Sequence, residues 1–202
     1  MTGQTIGSII LPTDESAAGG VPAPRLNIRP YLGKMPVVGE RVYIDQTSAV
    51  IGNVTLGDDV SIWPTTAVRG DVNFITIGAR TNVQDGSVLH ISRGRPSRPE
   101  GWPLIIGADV TIGHRVVLHA CTIGRFCLIG MGSLVLDGAV IEDYVYVGAG
   151  SVVTPNKRLE SGYLYVGSPA RRVRPLKPDE LEILKHTAAE YVQLKNDFLG
   201  SL

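Results

Sequence analysis

IGADVTIGHRVVLHAC, residues 106–121, places an aliphatic side chain at every sixth position: Ile106, Ile112 and Leu118. The same beat extends in both directions. Backwards, across a long insertion, it runs through Leu89, Val83 and Ile77. A three-residue insertion (Phe74-Ile75-Thr76) intervenes before Val68, Ile62, Leu56, Val50, Ile44 and Val38. Forwards, after one dropped residue, it continues through Ile123, Ile129, Val135, Ile141, Val147 and Val153. All 18 positions are Ile, Val or Leu. Neither the 3.6-residue period of a helix nor the alternation of a half-buried strand produces a beat of six. A fixed short period means a solenoid, and a six-residue one is that of a parallel β-helix.

Each hexad is then one short strand and a corner, and three hexads complete a coil of 18 residues. The beat residue points into the prism. The position four later (Val54, Val60, Val110, Val116, Cys127, Ser133, Ala139) is small or aliphatic and is expected inward too. Glycine after the beat (Gly57, Gly78, Gly107, Gly113, Gly124, Gly130, Gly148) suits close backbone approach. About six coils follow, roughly 29 Å tall at the usual strand spacing.

The predicted layout has three parts. Residues 1–24, rich in Gly, Ser, Thr and Pro, form a flexible tail. Residues 25–176 form the all-β solenoid, with a Pro-, Gly- and Arg-rich loop at 91–103. The rhythm stops after Val153, and Gly162–Leu176 reads as an extended segment leaving the prism. Residues 177–202 hold a helix starting at Pro178-Asp179, with an apolar stripe of Leu181, Leu184, Ala188, Tyr191, Val192 and Phe198 and an acidic first turn.

Composition narrows the function classes. Net charge is zero, which speaks against nucleic acid or an acidic membrane surface as partner. No apolar run reaches the roughly 18 residues of a membrane span. Two cysteines make no disulfide framework, so a cytoplasmic, reducing setting is the expectation. Core packing is the expected role of Cys121 and Cys127.

The chain has four histidines, and three of them, His90, His114 and His119, fall within 30 residues. On one face the residue following each beat reads Ile51, Arg69, His90, His119, Leu136 in successive coils. His90 and His119 should therefore sit one strand spacing apart, able to share a metal, with Arg69 one coil earlier. His114 lies on a different face, in line with Asp85 and beside Gln84. The simplest completion of a three-histidine site borrows His114 from a neighbouring copy, and a three-fold ring closes such a prism. A homotrimer with interfacial metal sites is the expectation. Three neutral imidazoles leave a divalent metal an open position, the catalytic pattern for Zn2+; Fe2+ or Co2+ also suits this ligand set. Arg69 and Asp85 should face each other across the interface, and Gln84 could hydrogen-bond water or substrate. The 91–103 loop, carrying Arg93, Arg95 and Arg98, is read as a lid that attracts an anion. His186 is expected exposed on the helix.

The hexads, RGDVN (69–73), NVQDGSVLH (82–90), IGHRVVLHAC (112–121), IGMGSLVLDGA (129–139) and GSPAR (167–171) together resemble the gamma-class carbonic anhydrases. The hexads and GSPAR are shared with hexapeptide acyltransferases. The resemblance implies a left-handed parallel β-helix trimer that binds its metal through His90 and His119 of one subunit and His114 of the next. It implies reversible hydration of carbon dioxide to bicarbonate. Arg69, Asp71, Gln84 and Asp85 match the family's interface and active-site polar residues. Val72 stands where the best-studied members carry a glutamate, and the loop lacks their acidic, proton-shuttling stretch. The alternatives are a non-catalytic metal-binding trimeric scaffold, a hexapeptide acyltransferase with one histidine as general base, and a metal-dependent esterase or thioesterase.

Overall fold

The structure is a computed structural model and describes residues 27–201; the predicted 1–24 tail lies outside the described residues. The chain winds as a left-handed parallel β-helix followed by one helix, Pro178–Gly200. Every beat residue pairs with its equivalent in the next coil. On the first face the register runs Val38, Leu56, Ile77, Ile106, Ile123, Ile141 and Leu159. On the second it runs Ile44, Ile62, Val83, Ile112, Ile129, Val147 and Tyr165. The third runs Ile28, Val50, Val68, Leu89, Leu118, Val135 and Val153.

The prism is thus longer than the aliphatic rhythm indicates. Leu159 and Tyr165 continue the beat past Val153, and Ile28 precedes it. Tyr165 is 3% exposed and takes an inward place, its hydroxyl accepting from the Glu160 N–H at 2.8 Å. Tyr163–Val166 therefore belongs to the prism, and only Arg171–Pro175 folds back against it, antiparallel.

The corners explain the period. The residue three past the beat adopts positive φ at Arg41, Asp59, Arg80, Asp109, Phe126 and Tyr144 on the first face, and at Thr65 and Arg115 on the second. Gly86, Gly132 and Gly150 fill three more second-face corners. At these corners a left-handed residue turns the chain; for a non-glycine it costs about 1–2 kcal/mol, offset by the packing inside. The inward set four past the beat, Val54 to Ala139, is buried throughout. Cys121 and Cys127 are free and buried.

The helix covers the eight-stranded second face of its own chain. Leu184 and Ala188 are buried beneath it. Trp63 meets Tyr191 and Phe198 edge-on at 5.6 and 5.2 Å. Glu180 closes the N-terminus, accepting from the Lys177 N–H at 2.8 Å and from both Arg174 terminal nitrogens. Lys195 is fully buried and pairs with Asp59 at 3.0 Å, fastening the helix to a prism corner. His186 is exposed.

Candidate metal centre

His90 and His119 stand opposite each other on neighbouring strands, Val88–His90 and Val117–His119, in the register of a parallel ladder. Leu89 and Leu118, fully buried, anchor the two strands and force both histidines to the outer surface. His90 Nδ1 and His119 Nε2 face each other at 3.3 Å. Each ring's other nitrogen meets a carboxylate: His90 Nε2 lies 3.0 Å from Asp71 Oδ1, and His119 Nδ1 is bonded to Asp137.

Asp71 is shared. It also pairs with Arg69 and accepts the Val72 N–H at 2.8 Å. Burial works against its charge, but the bonds from His90, Arg69 and Val72 prevail and hold the carboxyl below its usual range. Burial lowers the His90 pKa, with Asp71 opposing, so this ring favours its neutral form. Val72, in the position of the missing glutamate, packs against the hydrophobic core.

His114 stands apart, at the corner between the second and third faces, with its Nδ1 3.0 Å from Asp85 Oδ2. Its side chain is 45% exposed against 21% for His90. Gln84 is not brought to the histidine pair. It is buried on the second face and donates to Asn82 Oδ1 at 3.1 Å. Among the described residues of one chain, no three His, Cys, Asp or Glu side chains converge as a metal cage.

The loop after His90 is a small hairpin, with Ser92 bridged to Trp102 and Arg95 to Arg98. It departs later than its composition indicates, because Ile91 is 1% exposed and packs in the core. Asn73 holds its base, donating to the carbonyls of Ser92 and Glu100 at 3.3 and 2.8 Å. Arg98 stacks over Trp102 at 4.4 Å.

Asp137 was not among the residues singled out by motif. The register places Leu136 one coil after His119, and Asp137, one position further on, is the residue that reaches the ring.

Comparison with known proteins agrees with this architecture. The family described as "Bacterial transferase hexapeptide (six repeats)" matches residues 120–155. The chain is 55% identical to Protein YrdA of Escherichia coli over 172 residues, 85% of this chain and 94% of that one. It is 40% identical to a carbonic anhydrase of Geobacillus kaustophilus, over 82% of this chain and 87% of that one. Gamma carbonic anhydrase 1, mitochondrial, of Arabidopsis thaliana is 40% identical over 80% of this chain, which spans 58% of that protein. A solved hexapeptide transferase family protein from Anaplasma phagocytophilum superimposes with a TM-score of 0.80 at 38% identity, over 86% of this chain and 98% of that one. With 40% identity to a carbonic anhydrase over 87% of that protein, the chain belongs to the gamma-class carbonic anhydrase family of hexapeptide-repeat proteins.

Proposed function

We propose that the chain is a metal-dependent carbonic-anhydrase-like enzyme that interconverts carbon dioxide and bicarbonate at the interfaces of a homotrimer. The observation that carries this reading is the pair of nitrogens 3.3 Å apart. An ionised carboxylate only accepts hydrogen bonds, so His90 Nε2 and His119 Nδ1 carry the protons that they donate to Asp71 and Asp137. In neutral rings the two facing nitrogens are then both lone pairs. Two lone pairs directed at one point need a proton or a cation between them. Two nitrogens about 2.0–2.1 Å from a tetrahedral zinc ion would lie about 3.3–3.4 Å apart, so the donor set fits such a metal.

His114 fits as a third ligand supplied by the neighbouring copy. Its Nδ1 donates to Asp85 in the same way, leaving Nε2 free on an exposed corner. Exposed apolar residues adjoin both halves: Val88, 44% exposed, beside His90, and Met131, 57% exposed, one coil beyond His114. Such a surface suits burial against another copy. Arg69, Asp71, His90 and His119 would form one wall, and His114 and Asp85 of the neighbour the other, with Gln84 buried behind them. Arg69, paired with Asp71, would reach from it to the neighbour's Asp85.

A divalent metal held there, Zn2+ or Fe2+, would supply hydroxide at neutral pH by lowering the pKa of its water to about 7. Held by His90, His119 and the neighbour's His114, the metal would thus supply the hydroxide that turns carbon dioxide into bicarbonate, with one proton released to solvent for each molecule hydrated. Asp71 and Asp137 would hold the N–H of His90 Nε2 and His119 Nδ1, so that His90 Nδ1 and His119 Nε2 face the metal. With Val72 packed against the core, no carboxylate at that position takes the proton. Acyl transfer needs one histidine as base near a substrate oxygen and has no use for two facing lone pairs. No helix among the described residues is long and apolar enough to cross a membrane. Two free, buried thiols suit a cytoplasmic setting.

Stopped-flow carbon dioxide hydration on protein loaded with measured amounts of zinc, or anaerobically with Fe2+, tests the proposal. Activity should scale with bound metal and vanish in His119→Ala. A fully metallated protein without activity would leave the scaffold or the thioesterase in its place.

A further inference from the structure

We infer that Asp137 is a positioning residue of the metal centre, acting through His119 Nδ1 to fix that ring's tautomer and to set the site's metal affinity. The inference rests on the metal reading above. Asp137 lies in the IGMGSLVLDGA stretch (129–139), in which no site residue was assigned.

The contrast with Asp71 supports the assignment. Asp71 divides its charge among Arg69, the Val72 N–H and His90. Among the described residues, the Asp137 carboxylate bonds to His119 alone. Its full charge therefore polarises one imidazole, which makes Nε2 the stronger donor. A carboxylate behind a ligating histidine fixes ring orientation and raises ligand basicity.

The surroundings hold the carboxylate in place. The Asp137 carbonyl accepts the Asn156 N–H at 2.9 Å, and the Leu136 carbonyl accepts the Ala139 N–H at 3.0 Å. Gly138 follows at φ +69°, and a β-carbon there would lie 3.2 Å from Trp102 Nε1. Trp102, at the root of the hairpin, thus lies against the turn that presents Asp137. The turn and the hairpin root together aim one carboxylate at one ring.

Asp137→Asn preserves side-chain shape, turn chemistry and an acceptor oxygen while removing the charge. The intact oligomer would be titrated with zinc against a chromophoric chelator, for wild type, Asp137→Asn and His119→Ala. Affinity is expected to fall about 10- to 100-fold in Asp137→Asn, with oligomeric state and apo-protein melting unchanged. The visible spectrum of the cobalt-loaded protein should shift in the same variant, since the donor strength of His119 changes; a merely structural turn residue would leave it unmoved. Wild-type affinity and spectrum in Asp137→Asn, with binding lost in His119→Ala, would overturn the inference and leave the metal reading intact. Failure of the wild type to take zinc would overturn both.

Discussion

Replacing Gly113 with alanine tests the tight stacking that positions the site. Gly113 directly precedes His114, and its N–H donates to the Ile129 carbonyl at 2.9 Å. A β-carbon would lie 2.8 Å from Met131 N, 3.0 Å from Ile129 O and 3.1 Å from Met131 Cα. Ordinary contact begins at 3.4 Å, so the shortest of these must open from 2.8 to 3.4 Å. All three atoms are backbone, and no rotamer change can absorb the displacement. Overpacking of this kind costs about 1–3 kcal/mol, or about 2–12 °C in Tm for a chain of this size. The displaced corner carries His114, so zinc affinity should fall as well. Gly150→Ala is the control: nothing lies within 4 Å of its β-carbon, and its φ of +68° leaves only conformational strain, about 1–2 kcal/mol. It should lower Tm with little change in zinc affinity. Circular dichroism melts and zinc titration of both variants provide the comparison. A Gly113→Ala protein with wild-type Tm and wild-type zinc affinity would refute the stacking described here.

Other outcomes follow from the same coordinates. Lys195 is fully buried against Asp59, whereas Asp59 also has Arg41 at 2.8 Å. Asp59→Ala, which leaves a buried cation unpaired, should cost about 3–5 kcal/mol, more than Lys195→Met; the reverse order in denaturant melts would contradict the pairing. Burial pushes the Cys127 thiol up to about 12 and raises Cys121 as well. Neither should react with a thiol reagent at pH 8 until the chain unfolds, and stability should decline as pH rises above the usual thiol range, about 8.5. Rapid labelling of folded protein would contradict their placement. Burial lowers the His90 pKa from 6.5. Below that pH the unfolded chain binds the proton that the folded chain resists, so the metal-free protein should lose stability as pH falls under 6.5. His90→Gln should flatten this dependence; an unchanged slope would assign it to other groups.

The repeat was legible because each coil makes the same demand on its sixth residue. The aliphatic rule placed His90 and His119 in one column, and Leu89 and Leu118 pair as it requires. The beat was ended too early at Val153, since Leu159 obeys the aliphatic rule, and only Tyr165 departs from it by filling an inward place with an aromatic ring. Ile28 was hidden by the irregular stretch before Val38, although it pairs with Val50. Asp137 resembles any corner aspartate, because the register puts Leu136, and not Asp137, in the place after His119. Lys195 was hidden for the opposite reason: a lysine on an amphipathic helix reads as solvated, and only the packing of helix on prism brings Asp59 to it. His114 could be assigned to a different face from sequence, and the fold places it on that corner with Asp85.

The central claim is that one metal site is built from two copies of the chain, and mixed oligomers test it most directly. His114→Ala and His119→Ala chains, prepared separately, should each bind no zinc in the site. Unfolded together and reassembled, they should recover it wherever an intact His90–His119 pair meets an intact His114, about one site in four for random mixing in a three-fold ring. Hydration activity should return in the same proportion. Mixed oligomers of confirmed composition that still take no zinc would contradict a site shared between copies.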